Sequence, residues 1–108
     1  MTRMIAIGQV AQQYVDLLAA GNINSKCHNV EGKDDRLLSV VSRLQHARWM
    51  CEEIAQWSKE DNVPEFEMKA QRWLCFVQGV LWSNGLLTIN QMREHNLSFL
   101  KNDDAQSA

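Results

Sequence analysis

Proline occurs once and glycine five times in this chain, and no stretch alternates polar residues with β-branched ones. Sandwiches and barrels need frequent turns and a period of two, so strands are excluded as the main element. Cysteine is scarce too: Cys27, Cys51 and Cys75 are odd in number and lack the spacing of a disulfide framework. Reduced thiols and a cytoplasmic setting are therefore expected. Long hydrophobic runs are missing, since the most apolar stretch, Trp73 to Trp82, is too short to span a bilayer and contains Gln78. The first residues turn polar by Gly8-Gln9 with no cleavage-type site, so a signal peptide is not expected. No excess of one charge exists either. A net charge of −2 is wrong for a broad phosphate-binding face and too small for a carboxylate-dense mimic of DNA.

What is present is ordinary globular composition, 45% hydrophobic and 22% charged over 108 residues, enough for one domain with one modest core. The expected fold class is all-α: a compact bundle of about four helices around a long antiparallel helical hairpin. Periodicity of 3.6 places the helices at about 2–20, 34–60, 64–84 and 89–100, with a flexible polar tail over 102–108. Gly21 is expected to end the first helix in the left-handed conformation. A polar, aperiodic loop from Gly21 to Lys33 then holds Cys27 and His28. Asp34 or Asp35 would cap the second helix, whose core stripe reads Leu37, Val40, Val41, Leu44, Ala47, Cys51, Ile54 and Ala55. Asp61-Asn62-Val63-Pro64 breaks the hairpin, and Pro64 suits a first helical turn. The third helix carries Phe66, Ala70, Trp73, Leu74, Val77, Val80 and Leu81 on one stripe, with Met68, Cys75 and Trp82 roughly opposite. Thr88-Ile89-Asn90-Gln91 is a capping box that starts the fourth helix.

One short motif appears on both hairpin arms, Arg48-Trp49-Met50-Cys51 and Arg72-Trp73-Leu74-Cys75. An antiparallel hairpin would set the copies at similar height, but the helical phase differs. Arg48 and Trp73 turn inward, while Trp49 and Arg72 turn out. The motif is thus core and surface residues sharing letters, with both thiols acting as small buried hydrophobes. Arg48 in an apolar stripe requires a partner, and Glu52 or Asp16 would serve.

The outward face of the second helix is the candidate contact surface. Ser39, Arg43, His46, Met50, Glu53 and Trp57 fall together there, with Trp49 near the edge, and Trp82 leads a second patch on the third helix. Tryptophan, methionine and arginine are the types enriched where proteins meet. The expected partner-binding set is therefore Arg43, His46, Trp49, Met50, Glu53, Trp57 and Trp82.

Catalytic chemistry has little support, and neither catalytic residues, a metal nor a cofactor is expected. Cys27, His28, His46, Cys51, Cys75 and His95 show no C-x-x-C or H-x-x-x-H spacing, and no base sits beside a nucleophile. All-α nucleotide pyrophosphohydrolases need E-E-x-x-E on one helix and E-x-x-D on the next. Here Glu52-Glu53 is followed by Gln56, and the next helix offers only Glu65 and Glu67. A helix-turn-helix over Val77 to His95, with the fourth helix as reader and Asn90, Gln91 and Asn96 at base edges, is the alternative, but that helix offers only Arg93 and Lys101 as cations.

The stretch Arg72-Trp73-Leu74-Cys75-Phe76-Val77-Gln78-Gly79-Val80-Leu81-Trp82, followed by Gly85, a capped helix and Glu94-His95-Asn96, resembles a segment of small uncharacterised helical proteins of tailed phages and prophages of enteric bacteria. The resemblance covers about residues 72–96 and brings no catalytic residues. It implies a phage accessory protein acting in the bacterial cytoplasm. The expected function is non-enzymatic: binding and modulating or inhibiting a host or phage protein such as a nuclease, defence or replication factor. A second copy of the chain is a further partner, nucleic acid ranks lower, and no membrane is involved.

Overall fold

The computed structural model describes residues 2–29, 31–60 and 64–107, which form four α-helices and no strand. Helix α1 (Arg3–Ala20) starts where Thr2 accepts the Ile5 N–H at 3.1 Å, satisfying one orphan donor of the first turn. Its exit differs from expectation: Gly21 keeps φ −89°, and Asn22 takes the left-handed conformation at φ 62°. Asparagine is one of the few residues that tolerates this, and the Ile23 N–H then reaches back to the Leu18 carbonyl at 3.0 Å.

The second helix begins later than the acidic pair suggests. Asp34 caps only a 3₁₀ turn, Asp35–Leu37, by accepting the Arg36 N–H at 3.0 Å. Leu38 and Ser39 are extended, and Ser39 then caps α2 (Val40–Trp57) by accepting the Ser42 N–H at 3.1 Å. Arg43 locks this kink, donating from Nε to the Leu38 carbonyl at 3.1 Å and from Nη2 to the Arg36 carbonyl at 3.0 Å. Interrupting the helix resets its phase, so Leu37 leaves the expected core stripe and is 83% exposed. Val40 and Val41, in the first turn of α2, are exposed as well. The break expected at Asp61 to Val63 lies outside the described residues.

Helix α3 (Pro64–Ser83) ends at Gly85, whose φ of 77° lets the Leu86 N–H bond the Leu81 carbonyl at 2.8 Å. The capping box forms as expected: the Thr88 N–H donates to Gln91 Oε1 at 2.9 Å, and the Gln91 N–H to Thr88 Oγ1 at 3.0 Å. Helix α4 (Ile89–Ser107) continues beyond the end read near Leu100 and through most of the segment assigned to a tail. No glycine or proline follows Leu100 to stop it.

Helix α1 is the hub, packing against each of the other three. Its buried face, Met4, Ile7, Val10, Ala11, Tyr14, Val15 and Leu18, meets Leu44, Ala47, Met50, Cys51 and Ile54 of α2 and Ala70, Leu74, Val77 and Leu81 of α3. Fully burying side chains such as Ile7, Leu18, Ile54 and Leu74 contributes about 1.5–3 kcal/mol each before chain entropy is counted. Helices α2 and α3 form the expected antiparallel hairpin. As α2 advances from Arg43 through Trp49 to Trp57, its α3 neighbours step back from Val80 through Trp73 to Phe66.

Candidate functional site

Most of the expected contact face of α2 is a seam against α3. His46 lies over Trp49 with ring centroids 5.3 Å apart, Trp49 over Trp73 at 5.8 Å, Trp73 over Trp57 at 4.9 Å, and Trp57 stacks on Phe66 at 5.3 Å. Lys69 sets its ammonium 5.1 Å from the Trp57 ring and 5.0 Å from that of Trp73, capping the ladder with a cation–π contact. Trp49 therefore does not point away, and the two motif tryptophans touch. Met50, expected outward, is 7% exposed and belongs to the core. Trp57 and Glu53 are half-buried. A wheel with two apolar arcs does not say which neighbour covers the second, and here that neighbour is α3.

The motif cysteines separate. Cys51 is fully buried, and burial pushes its thiol up to about 12, so it is protonated and inert at neutral pH. Cys75, also expected inside, is exposed on the far side of α3. Arg48 takes the structural role expected of it: Nη1 donates to the Ile23 carbonyl at 2.7 Å, and Nε lies 3.5 Å from Glu52.

Of the expected residues Arg43 and Trp82 are exposed, and His46 is half-buried like Trp49, Glu53 and Trp57. Arg43 and His46 line a cleft of about 370 Å³ with Asp35, Arg36, Leu38, Phe76 and Val80. A smaller hollow of about 100 Å³, lined by His28, Asn29, Asp35, Leu38 and His46, adjoins it. The cleft lies where the 3₁₀ turn and the start of α2 meet the later turns of α3. Its mouth is apolar on the α3 side and carries two guanidinium groups on the other. Phe76, outside the expected partner-binding set, is 58% exposed at the rim. Its signal was in the helical phase: position 76 lies outside the arc of Ala70, Leu74, Val77 and Leu81. Trp82 is 51% exposed and shares an outward stripe of α3 with Met68, Arg72, Cys75 and Gly79.

The loop after α1 is tied to this region through α2. The Lys26 N–H donates to the Gln45 carbonyl at 3.3 Å, His28 Nε2 pairs with Gln45 Oε1 at 2.9 Å, and the His28 N–H donates to His46 Nδ1 at 3.0 Å. Accepting that bond requires an unprotonated Nδ1. Burial, with a further contribution from nearby His28, lowers the His46 pKa below the ordinary histidine value. The neutral form is thus favoured in the fold, and the sign follows. The anchor is intact above pH about 6.5 and is lost as pH falls from there through the lowered pKa. Heteronuclear NMR should show the His28 amide shift titrating with the His46 ring, at a midpoint below 6.5. An amide insensitive to acid would remove His46 as the anchor.

A second polar cluster crosses the core. Gln78 Nε2 donates to Tyr14 Oη at 2.9 Å and to Asn96 Oδ1 at 2.7 Å, Asn96 Nδ2 donates to Gln78 Oε1 at 3.3 Å, and Tyr14 Oη lies 2.7 Å from His95 Nδ1. Burial raises the Tyr14 pKa to about 12, so its hydroxyl keeps its proton at neutral pH. The Gln78 and His95-Asn96 residues of the segment quoted above therefore fasten α4 to α1 and α3. Asn96, one of three amides the helix-turn-helix reading needs, is engaged there, and Gln91 is engaged in the capping box.

Among the described residues no three His, Cys, Asp or Glu side chains converge as a metal site, and no helix is long and apolar enough to cross a membrane. In comparisons with protein-family models, curated proteins and solved structures, the chain matches none.

Proposed function

We propose that this protein works by binding another protein, in the manner of a phage-type accessory factor that modulates or inhibits a host or phage protein, and carries out no chemistry of its own. The observation that carries the reading is the exposure of Phe76 at the rim of a cleft that also carries Arg36 and Arg43, with Trp82 exposed on a separate stripe of α3. Large aromatic side chains left in water next to guanidinium groups are the composition of binding hot spots. The arginines favour a partner segment that combines an apolar anchor with carboxylates. The mechanism is steric: a bound partner loses whatever surface it presents to the cleft. The resemblance over residues 72–96 supports the phage setting and a bacterial cytoplasmic target such as a nuclease, defence or replication factor.

Tryptophans in the α2–α3 seam are poor probes, because removing them would strip the hairpin of its packing contacts. The test uses exposed positions instead. A protein retained from bacterial lysate by the tagged wild type should be lost, or bound at least about tenfold more weakly, by the Phe76→Ala/Trp82→Ala variant, with helicity unchanged by circular dichroism. An identical set of proteins retained by both would sink the proposal.

A further inference from the structure

The chain from Asn24 to Asn29 lies on α2 with little to hold it there. Upstream, Ile23 packs against the core, and its carbonyl accepts from Arg48 Nη1 at 2.7 Å. Downstream, Arg43 pins the 3₁₀ turn through its two carbonyl bonds. Between these points Cys27 and His28 are half-buried, Asn24, Ser25, Lys26 and Asn29 are exposed, and no side chain enters the core. Among the described residues the segment keeps its place on α2 by hydrogen bonds alone. The Lys26 N–H donates to the Gln45 carbonyl at 3.3 Å, His28 Nε2 to Gln45 Oε1 at 2.9 Å, and the His28 N–H to His46 Nδ1 at 3.0 Å.

These bonds respond differently to acid. The amide of Lys26 and the carbonyl of Gln45 do not titrate. His28 Nε2 donates to an amide oxygen, which a protonated imidazole does at least as well. His46 Nδ1 is an acceptor, and a proton there removes its lone pair and sets one N–H against another. The groups facing the ring pull in both directions. Its own burial opposes a positive charge most, His28 of the segment opposes it further, and Asp35 of the 3₁₀ turn favours it. Arg36 and Arg43 line the same cleft, and the α3 residues there, Phe76 and Val80, are uncharged.

We infer that residues 24–29 form an acid-released strap, latched by His46, whose departure joins the small hollow to the cleft. The two hollows share Asp35, Leu38 and His46, whereas His28 and Asn29 wall only the smaller one. A strap that lifts removes that wall and opens the His46 ring, now a cation, to the cleft. The sign follows from the bond: the latched state requires neutral His46, so the strap is closed above pH about 6.5 and opens as pH falls below it. With a third positive group beside Arg36 and Arg43, the cleft holds a carboxylate-bearing segment more tightly in acid. That consequence rests on the proposed function, and the release of the strap does not.

The test is ¹⁵N relaxation on the full chain with no partner added. At pH about 7.5 the order parameters over 24–29 should match those of α1 and α2, near 0.85, and at pH about 4.5 they should fall below about 0.6 while the helices keep theirs. His46→Asn places an amide oxygen where Nδ1 stood, an acceptor that does not titrate, and should hold the strap at both pH values. His46→Ala should leave it loose at both. A strap that stays ordered after the His46 ring has titrated overturns the inference, and so does one that acid loosens equally in His46→Asn. A strap already mobile at the higher pH, or one that loosens only together with α1 and α2, overturns it too. Retention of a lysate protein at the two pH values is a separate readout, whose failure counts against the proposed function and leaves the strap standing.

Discussion

Replacing Gln78 by alanine is expected to lower stability by about 2–4 kcal/mol, against a total of roughly 5–15 kcal/mol for a domain of this kind. Gln78 is a polar residue among the buried side chains of the core, and it spends both amide protons, one on Tyr14 and one on Asn96. Its removal leaves a buried hydroxyl short of a donor, strands an amide on α4 and opens a cavity, and these costs add. A melting point lower by about 10–20 °C is the corresponding thermal readout. The double variant Tyr14→Phe/Gln78→Leu should lose less than the sum of its single changes, since an apolar pair leaves fewer unsatisfied groups than a broken polar one. A loss below about 1 kcal/mol for Gln78→Ala would mean that the network does not clamp α4. The clamp also sets an alkaline limit. Because the folded Tyr14 pKa is raised to about 12, its contribution is complete below the usual tyrosine value of about 10 and is lost as pH rises towards 12.

The second large effect concerns two glycines that look alike in the sequence. Gly8 and Gly79 both sit inside helices, where alanine is ordinarily better by about 0.5–1 kcal/mol. At Gly79 nothing lies within 4 Å of an added methyl group, so Gly79→Ala should gain about that much. At Gly8 the same methyl group would run into Oγ and Cβ of Ser58, at the end of α2. Ser58 cannot step aside without cost, because its hydroxyl donates to the Ala55 carbonyl at 2.7 Å. Helices α1 and α2 would have to separate, so Gly8→Ala is expected to cost about 1–3 kcal/mol despite its better helix propensity. Urea denaturation of the pair decides the matter. Two substitutions of the same sign would show that propensity, and not the close approach of α1 to Ser58, governs position 8.

The exchange of roles between expected and observed site residues has a common cause. Trp49, Met50 and Trp57 have the composition of a contact surface, but the hairpin uses the two tryptophans as a seam and the core takes Met50. Phe76, which belongs to neither expected contact patch, stands in water at the rim of the cleft. A tryptophan buried against another helix and a tryptophan awaiting a partner are the same letter at the same period. Arg48 and the Thr88-Gln91 box were legible because the chemistry is local: an arginine in an apolar stripe must find an acceptor, and a capping box closes within four residues.

The bundle expected from the sequence is the bundle observed, for similar reasons. Thr2, Pro64, Gly85 and Thr88 act through backbone dihedrals and nearby hydrogen bonds, so the chain alone determined the helices and most of their ends. Where two local signals compete, as at Asp34 against Ser39, the ends shift. The chain also determined that α2 and α3 carry apolar residues on more than one side. Only the tertiary structure decided which of those sides is covered. It made α1 the hub, closed the aromatic seam, left Val40 and Val41 outside, and turned one side of α4 to water. Periodicity records the angle of a side chain about its own helix axis, and burial depends on where the other axes lie.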